Sequence, residues 1–293
     1  MKKLLYKAIN NLGYNFYNKK KKEREIRKKL ERFEVEIHKN LLLYSYKYIK
    51  LLAKKFPDLS ITDAEDSLKV CFNNLTFYIE SQEEFLILKE IFIDEEYKFV
   101  SKEDCVLIDI GANIGIASMY FSQFEYVHKI YAFEPVKDTY ELAVKNFKAN
   151  NINKICEFNN YGIGASDKEV EFLYSKKAKG NSGVRGRYSP AHKEHKISET
   201  RKVKILDVKK VLNPIIQENK DLKIVIKMDC EGSEYEIMSS LDDNSLLERI
   251  DIFIIEWHDH KPDPIENVLR ENNFSVFSRN LNSISGMITA VKN

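Results

Sequence analysis

The chain of 293 residues is 43% hydrophobic and 31% charged, with only 10 glycines and 6 prolines. That composition excludes a disordered, collagen-like or low-complexity chain, and no stretch approaches the roughly 20 apolar residues of a membrane span. The net charge of +2 conceals an asymmetry: residues 1–55 carry 17 Lys/Arg against 5 Asp/Glu, and the remainder carry 30 against 40.

The imbalance points to a basic helical N-terminal extension over 1–57 and a mildly acidic globule over 58–293. Lys2 and Lys3 precede an apolar run that Lys7, Asn10 and Asn11 break. No small-residue cleavage site follows, so the start does not read as a signal peptide and a cytoplasmic location is expected. Cys71, Cys105, Cys156 and Cys230 show no C-x-x-C spacing, which favours reduced thiols over a disulfide or metal framework.

In the extension, Ile26, Leu30, Phe33, Ile37, Leu41, Tyr44, Tyr48 and Leu51 recur every three or four residues. This spacing predicts a helix seam with one slip in phase, stopped by Phe56-Pro57. Its Lys/Arg/Glu surface suits a solvated helix or hairpin packed on the globule or on a second copy. Peripheral contact with anionic lipid is a second reading, and nucleic-acid binding a third, disfavoured one.

Residues 68–79 read as a short β element turning at Asn73-Asn74, followed by a helix over 83–91. From 105 onward apolar strand-like runs alternate with helices. Strands fit 105–109, 129–133, 155–163, 170–174, 202–205, 224–229 and 250–256, with two short β pieces over 275–278 and 286–291. A helix over 114–122 follows the first of these strands. A second helix follows the next and carries Val136, Tyr140, Val144 and Phe147 on one face. This alternation predicts an α/β fold with a mostly parallel sheet covered on both faces. Such sheets bind ligands beyond the carboxyl ends of the strands, where strand order reverses.

Asp109-Ile-Gly111-Ala112-Asn113-Ile-Gly115 lies between a strand and a helix. Glycines there let the backbone turn tightly and approach a ligand, and the following helix start favours an anionic group. Glu134, before Pro135 at the end of the next strand, can accept two hydrogen bonds from ribose hydroxyls. Asn113 occupies the middle glycine position of a dinucleotide loop, and no basic group for a pyrophosphate accompanies it. The pattern therefore favours a nucleoside with an amino-acid tail, S-adenosylmethionine, over a nicotinamide cofactor.

Five motifs now appear in order: VLIDIGANIG at 106–115, YAFEP at 131–135, VKILD at 203–207, IKMDCEGSE at 226–234 and IIEWH at 254–258. Together they resemble the FkbM family of S-adenosylmethionine-dependent methyltransferases over residues 68–291, with the block around Asp229 the most specific. The resemblance implies a class I methyltransferase (Rossmann-like) seven-stranded sheet. It also implies, usually, O-methylation of a sugar, a polysaccharide precursor or a natural product. Cys230 and Ser233 depart from the family's more frequent aliphatic residue and alanine.

Methyl transfer is an in-line displacement, so holding the acceptor oxygen against the methyl carbon supplies most of the catalysis. A sugar hydroxyl also benefits from a base or a metal. Asp229 and Glu231 end one strand and Glu256 and His258 its neighbour, so four candidate proton acceptors converge. Asp229 is expected to orient the acceptor near the methyl group and His258 to act as base. A surface-loop role for His258 is equally open. These residues and His260 could collect a divalent cation, which is admissible but not favoured. Ser233 is a candidate cap for the following helix. The glycine-containing basic segment 175–196, with Arg185 and Arg187, would suit a phosphorylated or nucleotide-linked acceptor or form a solvated loop. The leading expectation is an O-methyltransferase for a carbohydrate or related polar small molecule. A nucleic-acid methyltransferase and a non-enzymatic nucleoside-binding scaffold are the rivals.

Overall fold

A computed structural model describes residues 19–181, 199–242 and 245–293. In the extension, helices α1 (Lys19–Leu30), α2 (Lys39–Tyr44) and α3 (Tyr46–Lys55) lead into strands β1 (Ser60–Ala64), β2 (Ser67–Phe72) and β3 (Leu75–Ile79). Helix α4 (Gln82–Phe92) then precedes β4 (Cys105–Ile110), α5 (Ile116–Phe121), β5 (Val127–Phe133), α6 (Lys137–Asn150) and β6 (Cys156–Asn159). Three short strands follow, β7 (Gly162–Gly164), β8 (Lys168–Tyr174) and β9 (Glu199–Asp207), and then α7 (Val208–Glu218) and β10 (Lys223–Met228). Helix α8 (Glu234–Asp242), β11 (Ile252–His258), α9 (Asp263–Glu271), β12 (Phe274–Asn280) and β13 (Ser285–Lys292) complete the chain.

The main sheet has the order β12-β13-β11-β10-β4-β5-β6, with β13 antiparallel to both neighbours and the other pairings parallel. Every residue of β4 is buried, as are five of the six in β10. That is the burial of strands covered on both faces, and it explains their almost unbroken apolar sequences. From β4 the chain steps outward through β5 to β6, then returns to β10 on the other side of β4. The reversal places a crevice at the carboxyl ends of β4 and β10. The expected class I methyltransferase architecture is therefore present.

Three local expectations change. The run 155–163 is not one strand: β6 joins the main sheet, while β7 pairs with β9 in a separate sheet of order β7-β9-β8. Gly162 and Gly164 permit that pairing, since a Cβ on either would lie 2.6 and 2.8 Å from Ile205. The hairpin of β2 and β3 turns at Asn73 (φ 52°) and Asn74 (φ 59°) as expected, but β1 joins it as a third strand.

The extension also departs from a single helix seam. Its helices stop at Leu30 and resume at Lys39, because Glu34 bridges to Thr62 and Asp63 accepts N–H bonds from Ile37 (2.8 Å) and His38 (3.0 Å), and another from Glu36. Beyond the break the buried positions are Leu42, Ser45, Ile49 and Leu52, one residue later than the predicted Leu41, Tyr44, Tyr48 and Leu51. Helix α3 does end before Pro57, at an extended Phe56. The arm's Leu30, Phe33, Val35 and Leu42 share one apolar cluster with Phe77, Phe85 and Phe121.

Burial works against the Asp63 carboxylate, yet the N–H groups of Ile37 and Glu36, with the His38 ring, hold it well below the ordinary 3.8. Its contribution is therefore full above that value and disappears as pH falls through the lower folded-state value. Asp63→Ala should cost about 1–3 kcal/mol by stranding these N–H groups. Urea unfolding would read that loss, and a variant as stable as the parent would mean that the arm docks without Asp63.

Candidate active site

The glycine loop is held from three sides. Gly111 and Ala112 donate N–H bonds of 3.1 and 3.0 Å to the Phe133 carbonyl at the end of β5. Gly111 sits at φ +80°, and a Cβ there would lie 1.8 Å from the Asp229 carbonyl oxygen. The two chain segments at the strand-order reversal thus touch backbone to backbone. Asn113 also adopts left-handed geometry (φ 52°), which Asn tolerates better than most residues, and its side chain accepts from Ile114 N at 2.8 Å. Gly115 starts α5 at φ +84° and backs onto the Phe147 ring rather than the cleft.

Two adjoining cavities, of about 340 and 60 Å³, share Gly111, Asn113, Gly180, Asp229 and Glu231 in their walls. The smaller has apolar walls from Pro135, Ile163, Phe172 and Ile205, with Glu134 among its lining residues. Glu134 Oε2 accepts from Asn113 N (3.1 Å) and Oε1 from Val136 N (2.8 Å). Burial pushes its carboxyl up to about 7 against those hydrogen bonds. An apolar slot with a carboxylate on its wall suits an adenosine moiety, so these residues fit the adenosine half of S-adenosylmethionine. Asp109, expected beside the cofactor, lies instead beneath the loop. It is fully buried, 3.1 Å from Lys227 Nζ, and accepts 2.7 Å from Ser118 Oγ. Lys227 in turn donates 2.8 Å to the Gly111 carbonyl, so Asp109 positions the loop from below.

The larger cavity brings all four candidate acids and bases together. Tyr97 donates its hydroxyl to Asp229 Oδ2 (3.0 Å) and Glu256 Oε2 (3.3 Å), one proton shared by two carboxylates. His258 is only 7% exposed, because β11 continues through it before the chain turns. The surface-loop alternative therefore gives way to a buried side chain. Its Nδ1 lies 3.2 Å from Glu234 Oε1, while Nε2 faces Glu256 at 3.5 Å and Asp229 and Glu231 at 3.9 Å. Burial disfavours the charged ring, but these carboxylates push it up to about 11. The ring expected to act as base is thus faced by four carboxylates that favour its protonated form. Burial and the Asp229 charge raise the Glu256 carboxyl. Burial with the charges of Glu256 and Asp229 pushes Glu90, which also lines the larger cavity, up to about 8.

Glu234 performs the capping assigned to Ser233: its carboxylate accepts N–H bonds from Cys230 (2.9 Å) and Gly232 (2.8 Å), closing the loop that starts α8. His260 lies outside the cluster, its ring 5.1 Å from that of Tyr235. Arg185 and Arg187 fall outside the described residues. The described start of their segment reaches the cleft through Gly180, anchored by Lys179 to Glu84 (2.6 Å) and Glu80 (2.8 Å). Tyr97 and Glu90 were missed because they lie outside every motif. Lys227 carried a signal: a lone cation in an apolar strand, level with the lone acid of its neighbour.

Known proteins place this cleft in context. Residues 109–276, more than half of the chain, match the methyltransferase FkbM domain. Methyltransferase 1 of Beauveria bassiana is 29% identical over 204 residues, covering 65% of this chain and 80% of that protein. Methyltransferase SdnD of Sordaria araneosa is 24% identical over 241 residues, covering 74% and 92%. The solved structure of an FkbM methyltransferase from Methylobacillus flagellatus is 10% identical with a TM-score of 0.46, covering 92% of this chain and 59% of that one. Since the match spans the glycine loop, Glu134 and both acid-bearing strand ends, the chain belongs to the FkbM family of S-adenosylmethionine-dependent methyltransferases.

Proposed function

We propose that this methyltransferase acts on a hydroxyl oxygen of a neutral polyol, such as a sugar or a glycan precursor. The observation that carries this reading is the wall of the larger cavity, where Glu90, Asp229, Glu231 and Glu256 face one space with Tyr97 and His258. Carboxylates accept hydrogen bonds from hydroxyl groups and repel phosphates. The lysine of that wall, Lys227, is turned beneath the loop onto Asp109. Among the described residues, Lys227 is the one Lys or Arg that lines the larger cavity, which disfavours a nucleic-acid acceptor.

S-adenosylmethionine supplies an electrophilic methyl group, the electrons of its broken S–C bond returning to sulfur. Asp229, fixed by its backbone contact with Gly111, orients the acceptor hydroxyl, and its Tyr97 bond keeps the carboxylate from rotating. Glu256, beside it on the next strand and bound to the same hydroxyl, takes the hydroxyl proton as the oxygen–carbon bond forms. Free thiols at all four cysteines support a reducing compartment such as the cytoplasm. Among the described residues no helix is long and apolar enough to cross a membrane. The described part of the extension, 19–57, is proposed to act together with the unit 58–293, bracing the core beneath α4.

Transfer of labelled methyl groups to a panel of sugars, nucleotide sugars and oligonucleotides tests the reading. Label on a hydroxyl of a neutral sugar is the expected result, and label on oligonucleotides alone would overturn it. For the cofactor, Glu134 is proposed to accept from the ribose as a carboxylate. Its proton must leave on binding, so S-adenosylhomocysteine affinity should rise about tenfold from pH 6 to pH 8. Glu134→Gln should lose about 1.5–3 kcal/mol of binding and flatten that profile. Parallel profiles in calorimetric titrations of parent and variant would remove Glu134 from the ribose.

A further inference from the structure

We propose that Asp229, Glu231 and His258 form a divalent-cation site at the floor of the larger cavity. One ligand atom from each lies within 4.8 Å of the other two. His258 is more than nine-tenths buried, and its Nε2 is aimed into the space between the carboxylates. Its nearest oxygen there is Glu256 Oε1 at 3.5 Å, with Asp229 Oδ1 and Glu231 Oε1 at 3.9 Å. These separations exceed ordinary hydrogen bonds of roughly 2.7–3.2 Å. They match two ligands each about 2.0–2.2 Å from one ion, which stand about 3–4 Å apart at angles of 90–130°.

The surroundings have the arrangement of an outer ligand sphere. A ligating histidine usually donates its other ring N–H to a carboxylate, which fixes its orientation. Here the Nδ1 partner is Glu234, fully buried and itself held by the N–H groups of Cys230 and Gly232. Tyr97 occupies Oδ2 of Asp229, leaving Oδ1 toward His258. Glu231 is in left-handed geometry at φ 52°, in the tight turn that brings its carboxylate back across the cavity to face the ring. The three ligands come from two adjacent strand ends and leave the cavity side open, as a site that also binds a substrate requires. Two carboxylates and one imidazole suit Mn²⁺ and its neighbours better than Ca²⁺.

Such a cation would bind the acceptor oxygen and lower the pKa of its hydroxyl. That role rests on the hydroxyl-acceptor reading above, whereas binding of the ion does not. The test is titration of chelator-stripped full-length protein with MnCl₂, free Mn²⁺ being read by electron paramagnetic resonance. One Mn²⁺ per chain is expected, displaced competitively by Mg²⁺. Glu231→Gln and His258→Ala should each weaken it about 10–100-fold. The melting temperature and far-ultraviolet circular dichroism report that each variant remains folded. No saturable binding in the parent would overturn the proposal and leave the ring's own proton to balance the carboxylates. Binding that survives both substitutions would overturn it equally, as a surface site. If Mn²⁺ binds as expected but no hydroxyl compound is methylated in its presence, the failure falls on the acceptor reading and the cation site stands.

Discussion

Replacing Lys227 with methionine should cost about 3–5 kcal/mol in urea unfolding, the usual cost of stranding one member of a buried ion pair. The register sets Lys227 of β10 level with Asp109 of β4, and the two side chains are 3% and 0% exposed. Burial alone would discharge the ammonium, but Asp109 and Asp229 hold its pKa above the ordinary lysine value. Methionine fills most of the volume, so the loss is electrostatic rather than a cavity. Asp109 would keep only the Ser118 hydroxyl as a partner. The Gly111 carbonyl loses its 2.8 Å donor and Tyr97 the cation 5.3 Å from its ring. Affinity for S-adenosylhomocysteine should therefore fall with stability.

The double variant Asp109→Leu/Lys227→Met separates the two effects. An apolar pair of similar volume can be neutral or better for stability, so unfolding should return to within about 1–2 kcal/mol of the parent. Cofactor affinity should stay low, because nothing then holds the Gly111 carbonyl. A single variant that unfolds with the parent would show that the Lys227–Asp109 pair adds nothing to stability. A double variant that restores affinity would remove the pair from loop positioning.

The features legible in the sequence were those set by local pattern. Central strands read correctly because they are buried on both faces and cannot tolerate polar interruptions. The glycine loop was legible as a turn, and Glu134 as the acid ending the next strand, because a strand–turn–helix of that kind needs particular residues at fixed offsets. What escaped depends on distant segments. Nothing near residue 37 announces that Asp63 will take three of its neighbours' N–H groups, break the helix and shift the buried phase by one. The separate sheet of β7, β8 and β9 escaped because a three-residue strand has no period to read. Tyr97 comes from a loop without pattern, and its partners lie 132 and 159 residues away. His258 was found by position, yet the carboxylates of Glu234 and Glu256 that face its ring are brought to it only by the folded strand ends.

Gly111→Ala should abolish measurable S-adenosylhomocysteine binding while leaving most of the fold intact. At φ +80° any L-residue meets a conformational penalty, about 1–2 kcal/mol. That penalty is the smaller part. The new methyl group would sit 1.8 Å from the Asp229 carbonyl oxygen and 2.8 Å from its carbon, both backbone atoms. A side chain could swing aside, but this carbonyl belongs to a segment whose Asp229 N–H donates 3.0 Å to Ile110 O. Either the glycine loop lifts away from Phe133 or the segment carrying Asp229 and Glu231 retreats, and either movement opens the cleft at its centre. Asn113→Gly supplies the contrast. Glycine accepts φ 52° freely, and the variant loses chiefly the side-chain acceptor of Ile114 N–H, about 0.5–1.5 kcal/mol. Calorimetric titration of both variants decides the matter: equal, modest losses would mean that loop conformation governs binding. Loss confined to Gly111→Ala would make the contact between Gly111 and Asp229 the element that couples cofactor to acceptor site. The second outcome follows from the strand-order reversal, because there the loops after β4 and β10 meet backbone to backbone.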